Sequence, residues 1–224
     1  ESEMIKLNNI IYKPLAISSL NIANKFNFSY TQLKIANKLK YLNVSVPLKY
    51  YYPSPKWIPN SGYIIDKALI FAFIHKESNF NRSAKSRKGA IGLMQIMPST
   101  ARFISKNKKI RKGNTSILKD PLINIEMGQN YIKYLLNLDI VNNNVIYMAA
   151  AYNAGPGNLK KWLGETNHNN DTLLFMECIP SRETRWFMEK ILTNYWIYKN
   201  KFNEESLSLI ELAKGKKPLY RMDN

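Results

Sequence analysis

Residues 65–100 read IDKALIFAFIHKESNFNRSAKSRKGAIGLMQIMPST, and the fold turns on how the front of that stretch is read. From Ala68 to Ile74 no polar residue interrupts the run, which predicts a helix buried on every side. Asp66 stands where a helix cap is expected. Counted in helical steps, Ile70, Phe73, Ile74 and Glu77 share one stripe, so a carboxylate continues the inward-facing row. Desolvation by Phe73 and Ile74 and the negative end of the helix both favour the protonated form. A glutamic acid that keeps its proton near neutral pH is what general-acid catalysis requires. The alternative is a last turn that rotates outward, leaving Glu77 a solvated surface acid.

The glycines that follow point the same way. Gly89 and Gly92 bracket a turn in KGAIGLMQIMP that lets backbone approach something closely, with a short extended piece around IGLMQIM. Gln95 sits among Leu93, Met94, Ile96 and Met97 and must find partners, either its own backbone or a polar ligand such as a sugar. In AAAYNAGPGN a small-residue helix ends at a glycine-proline break where Tyr152 and Asn153 can face a groove, and Tyr152 can equally be a core tyrosine.

The 224 residues suffice for one large domain or one domain with an appendage. Hydrophobic residues make up 45%, with no run of the roughly 18 apolar residues that a membrane span needs. Lys and Arg exceed Asp and Glu by 33 to 16, for a formal charge of +17. Such a field attracts polyanions: nucleic acid, anionic headgroups or acidic cell-wall polymer. The stacking and base-reading motifs of nucleic-acid binders are absent, so the expectation is no nucleic acid, and the runs KSRK and KNKKIRK read as solvated turns. Cys178 is the sole cysteine and reads as a small buried hydrophobe in MECIP. His75 and His168 are the two histidines, too few for a Cys/His metal cage, and no metal or cofactor is expected. The chain begins at Glu1 without a leader, which reads as processing or trimming and leaves the compartment open.

Residues 1–60 read as an N-terminal helical segment and Pro-rich linker. Ile17, Leu20, Ala23 and Phe26 recur at helical spacing, as do Leu33, Ala36, Leu39 and Leu42, giving two antiparallel helices or the remnant of a helical array. Pro47, Pro53, Pro55 and Pro59 then forbid a continuous helix. Residues 61–200 form the main domain. Asp120-Pro121 opens DPLINIEMGQNYIKYLL, Asn144 caps VIYMAAAYN, and PSRETRWFMEKILTNYWIYKN carries a further helix. Residues 201–224 read as a C-terminal tail. The fold class is mainly α.

E-S at Glu77–Ser78, G-L-M-Q at 92–95, M-P-x-T-A at 97–101, A-Y-N-A-G-P-G at 151–157 and E-x-I-P-x-x-E-T-R at 177–185 together resemble the catalytic domain of soluble lytic transglycosylases. The resemblance runs from about Tyr63 to Tyr198 and implies a lysozyme-like catalytic domain preceded by a short helical segment. It implies peptidoglycan glycan strands as substrate, a periplasmic location, cell-envelope protein partners, and cleavage between N-acetylmuramic acid and N-acetylglucosamine that leaves a 1,6-anhydromuramyl end. Glu77 matches the family's catalytic acid. Ser86, Gln95, Met97, Tyr152 and Glu177 fall on groove-lining positions. The family's R-Q-E-S is H-K-E-S here, and Phe187 replaces a tyrosine. Between residues 60 and 160 the acids besides Glu77 are Asp66, Asp120, Glu126 and Asp139, none of which reads as a second catalytic acid. Rival readings are a hydrolytic muramidase using the same Glu77, a catalytically idle wall-binding module, and a basic helical nucleic-acid binder.

Overall fold

The computed structural model describes residues 13–105 and 107–222. The chain divides into two units, residues 1–58 with 79–81, and residues 59–78 with 82–224. In the first, α1 (Lys13–Lys25) and α2 (Ser29–Tyr41) form a hairpin whose turn places Asn27 at φ 57°, where asparagine is tolerated. Leu20, Ala23, Ile35, Ala36 and Leu39 make its core, with Phe28, Val44 and Val46 packed against them. The expected stripe holds at Leu20 and Ala23 but not at its ends: Ile17 is 40% and Phe26 58% exposed. Gln32 donates its amide to the Tyr50 carbonyl at 3.0 Å, tying α2 to the 3₁₀ turn Leu48–Tyr50. In the same unit, the Phe80 and Trp57 ring centres lie 6.1 Å apart.

The second unit is built around α3 (Lys67–Ser78), in which Ala68–Ile74 are buried on all sides. Asp66 caps it, accepting from the Ala68 amide at 2.8 Å. The other oxygen of that carboxylate accepts from the Tyr195 hydroxyl at 2.9 Å and pairs with Lys199 at 2.8 Å. Lys199, 3% exposed, also reaches Glu204 at 3.1 Å. An ion pair this deeply buried stands only because hydrogen bonds satisfy both members. It fixes α10 (Arg182–Lys201) along α3, where Tyr198 meets Phe71 edge-on at 5.6 Å.

Helices α4 (Pro98–Ile104) and α5 (Lys108–Arg111) lead through the 3₁₀ turn Ser116–Lys119 to α6 (Pro121–Leu136). Asp120 accepts from the Leu122 and Ile123 amides, with Pro121 at the first helical position. Asn144 likewise caps α7 (Val145–Ala154) through the Ile146 and Tyr147 amides, and α7 stops at Gly155, φ 86°. Then follow α8 (Pro156–Glu165), α9 (Thr172–Cys178), α10 and α11 (Leu207–Ala213). After α11 the chain returns to α7: the Val145 amide donates to the Pro218 carbonyl and the Tyr220 amide to that of Asn143. The fold is mainly α; among the described residues extended backbone pairs only as isolated bridges, two of them in the 85–96 turn. Among them, too, no helix is long and apolar enough to cross a membrane. Cys178 corrects the sequence reading: it is exposed, because it falls at the open end of α9 while Phe175 and Met176 take the inward positions.

Candidate active site

Glu77 occupies the last turn of α3, one residue beyond Lys76, and is largely but not wholly buried. Burial pushes its carboxyl up to about 7 from an ordinary 4.5. The charge of Glu183 adds to that rise and the charge of Lys76 opposes it. Glu77 stands at the C-terminal end of α3, where the helix dipole was expected to act, and Glu183, from the first turn of α10, adds a further push. Lys76 lies 4.1 Å above the Trp186 ring and 5.3 Å from that of Phe187, a cation-π arrangement that restrains its ammonium.

Tyr152 shares this site. Its hydroxyl donates to the Met94 carbonyl at 2.7 Å, and its ring centre is 4.5 Å from Phe73 and 5.3 Å from Tyr131. Burial, then the charge of Glu77, then Tyr131 hold the phenol well above its usual range, so it stays protonated. Of the two roles left open for Tyr152, the structure shows the core one: its ring packs, and its oxygen anchors the 91–96 turn near the acid.

That turn is a small closed structure. Ile91 and Ile96 exchange backbone hydrogen bonds at 3.0 Å, and the Gly92 amide donates to the Ala84 carbonyl at 2.9 Å. Gly92 has φ 81°, and a Cβ there would lie 2.5 Å from the Leu118 carbonyl and overlap the Asn124 amide. Asn124, fully buried, accepts from the Met94 amide at 2.8 Å and donates to the Ile91 and Leu118 carbonyls. Gly128, one turn on along α6, makes room for the Met94 side chain, whose sulfur a Cβ would overlap. Gln95 adopts φ 46°, and its amide nitrogen donates to the carbonyls of Gly92 at 2.8 Å and Ala84 at 3.3 Å. The backbone partners claim its donors; among the described residues its carbonyl oxygen accepts no hydrogen bond. Met97 precedes α4 in extended conformation, half-buried.

The remaining candidates divide. Ser86 accepts from the Ala90 amide at 2.9 Å and so closes the preceding turn. Asn153 accepts from the Thr184 hydroxyl at 2.8 Å, joining the end of α7 to the start of α10 beside Glu183. Glu177 is exposed on α9, where its backbone carbonyl accepts from Arg185 at 3.3 Å. The charge of Glu77 acts on Tyr152, Tyr152 holds the turn that carries Gln95, and Asn153 joins the end of α7 to the turn of α10 that carries Glu183. Asn124, Glu183 and Trp186 escaped the sequence reading. Asn124 and Gly128 stand on the stripe of Ile132 and Leu135, and a buried-position amide beside a mid-helix glycine was the available signal. Among the described residues no three His, Cys, Asp or Glu side chains group to hold a metal ion.

Residues 59–175 match the family model of the transglycosylase SLT domain. The chain is 38% identical over 163 residues to the soluble lytic murein transglycosylase of Escherichia coli K12, covering 72% of this chain and 25% of that protein. Against the membrane-bound lytic murein transglycosylase E of Buchnera aphidicola it is 35% identical over 143 residues, covering 61% and 60%. Among solved structures, the 70 kDa soluble lytic transglycosylase of Escherichia coli superposes with a TM-score of 0.75 at 29% identity, over 91% of this chain and 33% of that one. An inactive glutamate-to-glutamine mutant of lytic transglycosylase Slt from Pseudomonas aeruginosa gives 0.71 at 27% identity, over 90% and 32%. The chain spans about a quarter of the length of the first curated relatives it matches.

Proposed function

The chain belongs to the transglycosylase SLT domain family, and from that premise we propose that it cleaves the glycan backbone of peptidoglycan without water, using Glu77 first as acid and then as base. The observation that carries the reading is a carboxyl held at about 7 in a site it shares with Tyr152 and the 91–96 turn. At neutral pH a large share of the molecules then hold a proton ready for the leaving oxygen.

In this scheme Glu77 protonates the oxygen linking N-acetylmuramic acid to N-acetylglucosamine, and the bond from that oxygen to the muramyl anomeric carbon breaks. The substrate's N-acetyl group supports the positive charge that develops there. The muramyl 6-hydroxyl oxygen then bonds to the anomeric carbon and gives its proton to the Glu77 carboxylate, which regenerates the acid and leaves a 1,6-anhydro end. An intramolecular nucleophile gains an effective molarity on the order of 10⁵ M or more, so a water-activating second carboxylate is dispensable. Asp66 and Asp120 are committed to capping, and Asp66 to Lys199 besides. Glu183 is exposed and interacts with both Lys76 and Glu77, which suits tuning.

Ser86, Gln95, Met97, Tyr152, Asn153 and Glu177 line the groove in this reading, with the exposed Lys85, Arg87 and Lys88 retaining the carboxylates of peptide stems. The place of action is the periplasm, in company with other cell-envelope proteins. A 70-kDa soluble lytic transglycosylase, 28% identical with a TM-score of 0.74, has been solved in complex with bulgecin A, which is consistent with ligand binding by this fold. The decisive experiment is mass spectrometry of sacculi digested by the chain and by Glu77→Gln. Anhydro ends from the parent alone are expected. Reducing ends would instead indicate a hydrolytic muramidase, and undiminished lysis by Glu77→Gln would remove the acid's role.

A further inference from the structure

Resting on that reading of Glu77, we propose that Phe103 and Tyr134, paired edge-to-face at the open ends of α4 and α6, form a distal subsite on which a sugar ring of the bound glycan strand stacks. Phe103 is 66% and Tyr134 37% exposed. Their ring centres are 5.1 Å apart at an interplanar angle of 77°. Single exposed apolar side chains are common, but two aromatics that touch each other and remain open to solvent form a patch that the fold itself does not cover.

The occupant follows from where the patch leads. Tyr134 is stacked with Tyr131, one helical turn back on α6, at 6.2 Å and 14°. Tyr131 meets Tyr152 at 5.3 Å, and Tyr152 lies close enough to Glu77 for that charge to raise its phenol. Ring contacts of 5.3, 6.2 and 5.1 Å thus tie the exposed pair, through Tyr152 and the half-buried Tyr131, to the neighbourhood of the acid, within a few sugar lengths of Tyr152. A hexosamine ring presents C–H faces and a hydroxyl rim, which suits an aromatic face with a polar tip such as Tyr134.

The same helices wall a cleft of about 370 Å³, whose lining mixes apolar residues such as Ile104, Ile110 and Met127 with Asn60, Asn107, Asn130 and the carboxylate of Glu126. That mixture matches an N-acetyl group, which offers one methyl and one amide, in a cavity of ligand-binding size. A long glycan strand is the one substrate of the proposed reaction able to reach this far from Glu77.

The test compares the parent with Phe103→Ala/Tyr134→Ala on peptide-free glycan fragments, from the shortest that is turned over to strands several disaccharides longer. For long strands kcat/KM should fall about tenfold through KM, and for the shortest fragment it should hold within about twofold. Phe103→Trp should restore the long-strand value, and thermal melting confirms folding, since both side chains are exposed. Equal loss on both lengths, or none on either, overturns the subsite. Affinity for the same fragments, measured calorimetrically in a Glu77→Gln background, separates the two readings. Preferential binding of long strands that vanishes in the double alanine variant supports the subsite even if the parent yields no anhydro ends. Turnover by the parent with no length-dependent loss sinks the subsite and leaves the reaction intact.

Discussion

Replacing Glu77 by glutamine should stabilise the fold, by an amount that grows with pH. Burial holds the carboxyl at about 7 in the folded chain against an ordinary 4.5. Below the unfolded value both states carry the proton and the residue contributes nothing to the balance. Between the two values the unfolded chain ionises and the folded chain does not, so stability falls as pH rises; above the folded value the loss is complete and constant. The gap, at about 1.4 kcal/mol for each tenfold step in proton affinity, amounts to about 3 kcal/mol at pH 9 and about 1 kcal/mol at pH 5. Residual exposure of the side chain makes these figures ceilings. Glutamine keeps the shape and removes the ionisation. Urea unfolding of parent and Glu77→Gln across that range should show the variant's advantage rising until about pH 7 and levelling there. An advantage that is flat with pH, or whose rise is complete by about pH 5.5, would mean that Glu77 titrates as an ordinary surface carboxylate, and the acid's proton supply would go with it.

Glu183→Gln removes a negative charge that raises the Glu77 carboxyl; the alkaline limb of the rate profile should shift to lower pH with the maximal rate kept within a few-fold, and an unmoved limb would separate the two residues. Gly92→Ala places a Cβ at φ 81° against the Leu118 carbonyl and the Asn124 amide, which should cost about 2–3 kcal/mol in denaturant unfolding. Lys199→Met leaves the Asp66 carboxylate buried without its cation, for an expected loss of about 3–5 kcal/mol, recovered in part by adding Asp66→Asn; a loss under about 1 kcal/mol would show that the pair is not desolvated.

Helix placement was legible because its signals are local. Asp120-Pro121 and Asn144 announce starts that the structure keeps, and the apolar run 68–74 leaves α3 no exposed face. What sequence could not give was the partner of each polar group. Asp66 reads as a cap and is one, yet its second oxygen faces Lys199 and Tyr195 from well over a hundred positions away. Nothing in the periodicity of either helix states that pairing. Cys178 failed for the opposite reason: an apolar neighbourhood in sequence, MECIP, became the exposed end of a short helix.

The acid illustrates where local reading ends. Helical steps alone carry Glu77 inward, and burial is the largest cause of its raised value, so the stripe argument captured the main effect. Tertiary contacts add what the stripe does not hold. The Asn153 side chain accepts from Thr184 and thereby seats the first turn of α10, which delivers Glu183 with one sign and, through Trp186, restrains Lys76 with the other. Two opposite charges around one desolvated carboxyl, Lys76 the stronger and Glu183 the weaker, make its proton affinity adjustable without changing its burial. Asn153 thus joins α7 to α10, and if that contact sets the position of Glu183, the alkaline limb of Asn153→Ala should shift to lower pH as in Glu183→Gln, whereas a fall in turnover with an unmoved limb would refute this.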